Sequence, residues 1–153
     1  MKLLLIVAHA PSENTRLMVD AVLKGAENPD IRGVATRWVP PLEARPEDVL
    51  GCDGIILGTT ENLGYMSGAM KDFFDRCYYP CLEQKQGLPF ALYVRAGQDG
   101  AGTCRAVETI CTGLRWNWIQ PPLVCRGEWQ VSFLEQCEEL GMTMAAGLEM
   151  GIY

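Results

Sequence analysis

The strongest constraint on this chain is an alternation, along nearly its whole length, of short apolar runs with helical patterns. Lys2 to Ala8, KLLLIVA, is uninterruptedly apolar after its lysine, as a strand covered on both faces of a parallel sheet must be. Thr15 to Glu27 places Met18, Val19, Val22, Leu23 and Ala26 on one helical face. Gly33 to Val39 alternates like a more exposed strand, and Pro46 to Leu50 reads as a short helical connection. Asp53 to Gly58 is a further buried strand. From Ser67, a suitable N-cap, to about Tyr79 a helix sets Met70, Phe73, Phe74 and Cys77 in a core stripe below Met66. Pro89 to Arg95 predicts a fourth strand and Gly102 to Trp116 a helix burying Val107, Ile110, Cys111 and Leu114. Ile119 to Cys125 contains two prolines, which confine a strand to a sheet edge. Phe133 to Met150 forms the last helix.

Strands each followed by a helix predict one α/β domain over residues 1–153, a three-layer sandwich about a five-stranded parallel sheet. Ligands of such sheets sit beyond the carboxyl ends of the strands. Three loops are therefore candidates: His9 to Asn14, Thr59 to Met66, and Ala96 to Ala101.

Charge and cysteine usage narrow the function. A formal net charge of −6 repels phosphodiester backbones, so nucleic acid is not expected as a partner. Seven cysteines, an odd number without disulfide-framework spacing, read as reduced thiols in a cytoplasmic protein. The start imitates an export signal, with Lys2, an apolar run and Ala8-His9-Ala10. That run is shorter than the ~7–15 residues such signals need, and cleavage would remove the first core strand. No run approaches the ~20 apolar residues of a membrane span. Cys77 and Cys81 are spaced like metal ligands, but with a single histidine in the chain and no second cysteine pair nearby they read as core packing; no metal is expected.

The first loop, HAPSENTR, sets Ser12, Asn14 and Thr15 where a helix begins. The first amides of a helix are unpaired and carry its positive dipole end, so these groups suit an anion as well as a simple helix cap. His9 stands beside them, either as a donor to that anion or as an ordinary loop histidine. Neither GxxxxGK[ST] nor GxGxxG occurs. The loop after the third strand is more specific: Gly58, Thr59, Gly64, Met66, Met70, Lys71, Phe73 and Asp75 spell G-T-x-x-x-x-G-x-M-x-x-x-M-K-x-F-x-D. With these residues the chain resembles the flavodoxin-like superfamily, and within it the NAD(P)H-dependent FMN reductases and WrbA-like quinone reductases.

The resemblance implies strand order 2-1-3-4-5 and FMN as cofactor. Ser12, Asn14 and Thr15 would hold its phosphate. Thr59, Thr60, Glu61, Asn62, Leu63, Gly64 and Tyr65 would line one side of the isoalloxazine ring, and Ala96, Gly97, Gln98, Asp99 and Gly100 would approach the other. NAD(P)H and a quinone, or another small-molecule or protein electron acceptor, would be the partners, and a homodimer is consistent with the relatives. No side chain is required as acid or base, so none is assigned a catalytic role. If Glu61 faced the ring, it would disfavour the anionic reduced flavin and lower its potential. Glu61 and Asp99 could alternatively form a carboxylate pair for hydrolysis. A flavodoxin-type electron carrier and a cofactor-free binding or regulatory protein are the alternative functions.

Overall fold

The computed structural model describes all residues 1–153. Five helices pack on a sheet built from β1 (Lys2–Ala8), β2 (Val34–Val39), β3 (Gly54–Asn62), β4 (Tyr65–Met66), β5 (Pro89–Ala96), β6 (Asn117–Trp118) and β7 (Leu123–Arg126). The order is β2-β1-β3-β5-β6, with β7 also pairing with β5 and every pair parallel except β3–β4. Counting β6 and β7 as one edge position, this is the expected 2-1-3-4-5 sheet.

The helices are α1 (Glu13–Ala26), α2 (Pro46–Leu50), α3 (Gly68–Cys81), α4 (Ala101–Gly113) and α5 (Ser132–Met150). Alternate residues of the central strands feed two separate cores. Leu5, Val7, Ile55, Leu57, Phe90 and Leu92 pack toward α3 and α4, with Val49 of α2 joining that side. Leu4, Ile6, Ile56, Ala91 and Tyr93 pack toward α1 and α5. This two-sided burial explains why β1 and β5 read as continuous apolar runs. Each fully buried Leu or Ile contributes about 1.5–3 kcal/mol.

On the α1–α5 side the helices approach until backbone meets backbone. A Cβ at Gly25 would lie 1.8 Å from the Glu138 carbonyl oxygen, and one at Gly141 would lie 2.0 Å from that of Val22. No larger residue fits either position without separating the helices.

Two sequence expectations need correction. The segment after β3 is not an irregular loop. β3 leaves the core after Thr59, continues to Asn62, and turns through Leu63 and Gly64 into β4. Glu61 pairs with Met66 and Asn62 with Tyr65. Both turn residues have positive φ, 53° at Leu63 and 75° at Gly64, as a type I′ hairpin turn demands. The edge strand expected over Ile119 to Cys125 is instead two short strands, β6 and β7, with Gln120 to Pro122 between them outside the ladder. Proline cannot donate a ladder hydrogen bond, so the strand breaks there.

Candidate functional site

The chain steps outward from β1 to β2 and then returns past β1 to β3. The carboxyl ends of β1, β3 and β5 therefore lie side by side, and the three loops predicted from sequence leave from one rim. The His9 amide donates to the Gly58 carbonyl at 2.9 Å, joining the ends of β1 and β3. The Trp38 indole donates to the Ala8 carbonyl at 3.1 Å, which ties β2 to the same corner. Partial burial lowers the pKa of His9 below its ordinary 6.5, because desolvation disfavours the imidazolium.

Ser12 caps α1 in a closed box. Its hydroxyl accepts from the Thr15 amide at 3.2 Å, while the Thr15 hydroxyl accepts from the Ser12 amide at 2.9 Å. Thr15 Oγ1 also donates to the Ser12 carbonyl at 3.0 Å, and the two hydroxyl oxygens are 2.8 Å apart. Thr15 is buried, whereas Ser12, Glu13 and Asn14 are exposed. With its one proton on the carbonyl, Thr15 accepts the Ser12 hydroxyl proton in the Oγ–Oγ bond and fixes the turn. Ser12 and Asn14 are the side chains that an anion can reach. The amides of Glu13 and Asn14 precede the first intrahelical bond, from Arg16 to Ser12, and are free to point at it.

The β3–β4 hairpin is anchored below and open above. Thr59, 1 % exposed, donates to the Thr60 carbonyl at 2.9 Å and accepts from the Ser67 amide at 3.0 Å. Ser67 in turn caps α3, accepting from the Met70 amide at 3.1 Å. Thr59 therefore holds the base of the hairpin on α3. Thr60 Oγ1 donates to Asn62 Oδ1 at 2.7 Å, stiffening the arm. Asn62, Leu63, Gly64 and Tyr65 face outward, Leu63 completely so.

Across from the hairpin, the β5–α4 loop presents Gly97, Gln98 and Asp99, while Ala96 and Gly100 are buried. Glu61 does not stand free beside a ring site. Its Oε1 accepts from the Gln98 amide at 2.7 Å and its Oε2 from the Gly100 amide at 2.8 Å. Asp99 Oδ1 accepts from the Ala101 amide at 3.0 Å. The hydrolytic-pair reading fails for the same reason, since both carboxylates are engaged by the backbone at the start of α4. A Cβ on Gly97, Gly64 or Gly68 would meet no atom within 4 Å, so the open surfaces admit a planar group at close approach.

Some parts of the site escaped the sequence reading. A Cβ at Gly102 would lie 2.1 Å from the Gly64 carbonyl oxygen; the hairpin tip rests directly on the first turn of α4. The pair Gly100 and Gly102 was the available signal, because two glycines around a helix start mark close backbone approach. Gly58 is required by Tyr93, whose ring carbon Cζ would sit 2.2 Å from an added Cβ. The largest concavity, about 450 Å³, lies apart from the three loops, beside Arg37, Trp38, Arg45 and Asp48. Arg37 there is paired with Asp48 at 2.6 Å.

Comparison with known proteins agrees with this architecture. Residues 1–130 match the family described as NADPH-dependent FMN reductase. A flavodoxin of Aquifex aeolicus strain VF5 is 31% identical over 110 residues, 72% of this chain; the match spans 58% of that protein's length. Among solved structures, a flavodoxin from the domain Archaea superposes with TM-score 0.80 at 19% identity, covering 97% of this chain and 99% of its own. A WrbA-like flavodoxin from Agrobacterium tumefaciens gives 0.77 at 21% identity, covering 99% of each chain. Megasphaera elsdenii flavodoxin gives 0.77 at 18%, covering 94% and 98%. The fold is thus flavodoxin-like, the cofactor is FMN, and the chain belongs to the NADPH-dependent FMN reductase family.

Proposed function

We propose that residues 1–153 act as one cytoplasmic FMN oxidoreductase domain that takes reducing equivalents from NADH or NADPH and passes them to a quinone or similar acceptor. The observation that carries this reading is the convergence on one rim of a helix N-terminus with free amides and the exposed surfaces of the hairpin and the β5–α4 loop. The α1 start offers the phosphate the backbone amides of Glu13 and Asn14 and the Asn14 side-chain amide, joined by the Ser12 hydroxyl once it turns from Thr15. Charge-assisted hydrogen bonds contribute about 1.5–3 kcal/mol each, so a few hold a phosphate without lysine. The competing helix start, that of α4, already has Glu61 and Asp99 on its loop amides, which leaves α1 as the anion site.

The isoalloxazine ring would lie between the hairpin and the β5–α4 loop. Asn62, Leu63, Gly64 and Tyr65 would face one side, and Gly97, Gln98 and Asp99 the other. Thr15, Thr59, Ala96 and Gly100 would support these groups from beneath, and Thr60 and Glu61 would set the shape of the arm. FMN supplies the hydride and electron chemistry when bound. The chain binds and orients it, and Tyr65 can add about 0.5–1.5 kcal/mol by stacking.

A flavodoxin-type carrier is the second reading. The likeness to the Aquifex flavodoxin and the acidic charge of −6 favour it, because carriers dock electrostatically on basic partners. Titration of cofactor-stripped protein with FMN and riboflavin comes first. Micromolar or tighter FMN binding, about −8 kcal/mol, with far weaker riboflavin binding is expected. FMN-loaded protein should then oxidise NADH or NADPH faster than free FMN does, and a redox titration should resolve one two-electron step. Two separated one-electron steps without NAD(P)H oxidation would identify a carrier. Failure of folded protein to bind any flavin would overturn both readings.

A further inference from the structure

Glu61 is an anion without a cation. It is half-buried, and no lysine, arginine or histidine lies within ion-pair distance of it. Its charge is met instead by two backbone donors, one on each carboxylate oxygen, at 2.7 and 2.8 Å. Those distances fall in the charge-assisted range, shorter than the ~2.9–3.0 Å of ordinary amide bonds. Both donors are two positions apart in a loop that turns through positive φ at Gly100. The neighbouring N–H groups at this turn form a concavity that favours an anion, and here a side chain from the facing element fills it.

The partners are 37 and 39 residues away in sequence, and they join the two elements of the proposed ring site. Glu61 is fixed on the hairpin arm by its pairing with Met66. Gln98 and Gly100 sit where β5 ends and α4 begins. The second junction between these elements is the packing of the Gly64 carbonyl on Gly102, a steric stop that limits how closely they approach. Glu61 supplies the attraction that holds them against that stop.

We infer that Glu61 is a positioning residue for the flavin: its carboxylate clamps the β5–α4 loop to the hairpin and so fixes the relative placement of the two surfaces that would receive the ring. It acts through Gln98 and Gly100 and not by touching the cofactor. This rests on the ring lying against both of these elements. Chemistry accounts for the choice of residue. Glutamine has one acceptor oxygen, so its amide group would oppose one of the two N–H donors. Aspartate keeps both oxygens but is one methylene too short to reach the same pair.

The test is the pair of variants Glu61→Gln and Glu61→Asp, each compared with the wild-type protein in two measurements. The first is amide hydrogen exchange at Gln98 and Gly100 in the cofactor-stripped protein, with amides of β1 as an internal reference. The second is the affinity for FMN and for riboflavin. Faster exchange is expected at Gln98 and Gly100 in both variants, with β1 unchanged. Flavin affinity should fall roughly tenfold or more, and by the same factor for FMN and riboflavin, because the phosphate end is untouched. Ser12→Ala supplies the contrast: it should weaken FMN and leave riboflavin unchanged. Unaltered exchange at the two amides would overturn the clamp, as would faster exchange with wild-type flavin affinity, or a loss confined to FMN. If the wild-type protein bound no flavin, the placement of the ring and this role would fall together; a wild type that binds while the variants bind equally well removes only the role of Glu61.

Discussion

Leu63 carries a conformation that its side chain opposes. Left-handed backbone costs an L-residue roughly 1–2 kcal/mol, and at 106% relative exposure Leu63 recovers none of this by packing. Leu63→Asn should therefore stabilise the protein by about 0.5–1 kcal/mol, since Asn-Gly is a favoured pair for this turn. For a chain of this size that is a rise in Tm of about 1–4 °C, readable by calorimetry on the cofactor-stripped protein. A lower Tm would mean that the leucine makes a contact in solution that outweighs the strain. His9 gives a pH signature at the same scale. Its folded pKa lies below the ordinary 6.5, so between the two values the unfolded chain binds the extra proton. Its contribution is fully present above pH 6.5 and is lost as pH falls toward the folded value. Denaturation curves of wild-type and His9→Asn proteins should diverge across that interval, the variant showing the flatter pH dependence; parallel curves would contradict it.

Among the elements, glycines at two contacts have opposite tolerances. At Gly141 an added Cβ meets the Val22 carbonyl inside the α1–α5 packing, where both backbones are held by helical hydrogen bonds. Overpacking of this kind costs about 1–3 kcal/mol, against which the gain in helix propensity is at most ~1 kcal/mol. Gly141→Ala should lower the denaturant midpoint accordingly. At Gly102 the obstructing atom belongs to an exposed two-residue turn, which can move. Gly102→Ala should cost less stability than Gly141→Ala and weaken flavin binding, because the hairpin shifts. Equal stability losses in the two variants would refute this distinction. The order of strands and helices was legible because periodicity and burial determine it locally. The hairpin was not, since Thr59 to Asn62 is polar and leaves the core, and Leu63 is not a residue that signals a type I′ turn. Nor could the sequence pair Glu61 with Gln98 and Gly100, because that contact depends on β3 and β5 being neighbours.

For the whole molecule, the cysteines report on the integrity of the fold. Six of the seven are buried and only Cys104 is partly accessible. Burial pushes the Cys52 and Cys77 thiols up to about 12 and raises those of Cys81, Cys104 and Cys111. At Cys104 the carboxylates of Glu108, Glu61 and Asp99 add to the rise. Since the thiolate is the reactive species, native protein at pH 8 should give at most one rapidly reacting thiol toward a disulfide reagent, and all seven in guanidinium. Several fast native thiols would indicate a looser structure.

The break between β6 and β7 bears on a different matter, the behaviour of this protein at high concentration. A continuous strand from Asn117 to Arg126 would present one side of the sheet as a ten-residue adhesive border, ready to recruit another chain. Pro121 and Pro122 withhold two of its donors and bow the segment out of the ladder. The interruption thus works as a guard against polymerisation, keeping crowded copies of the protein from zipping together along that side.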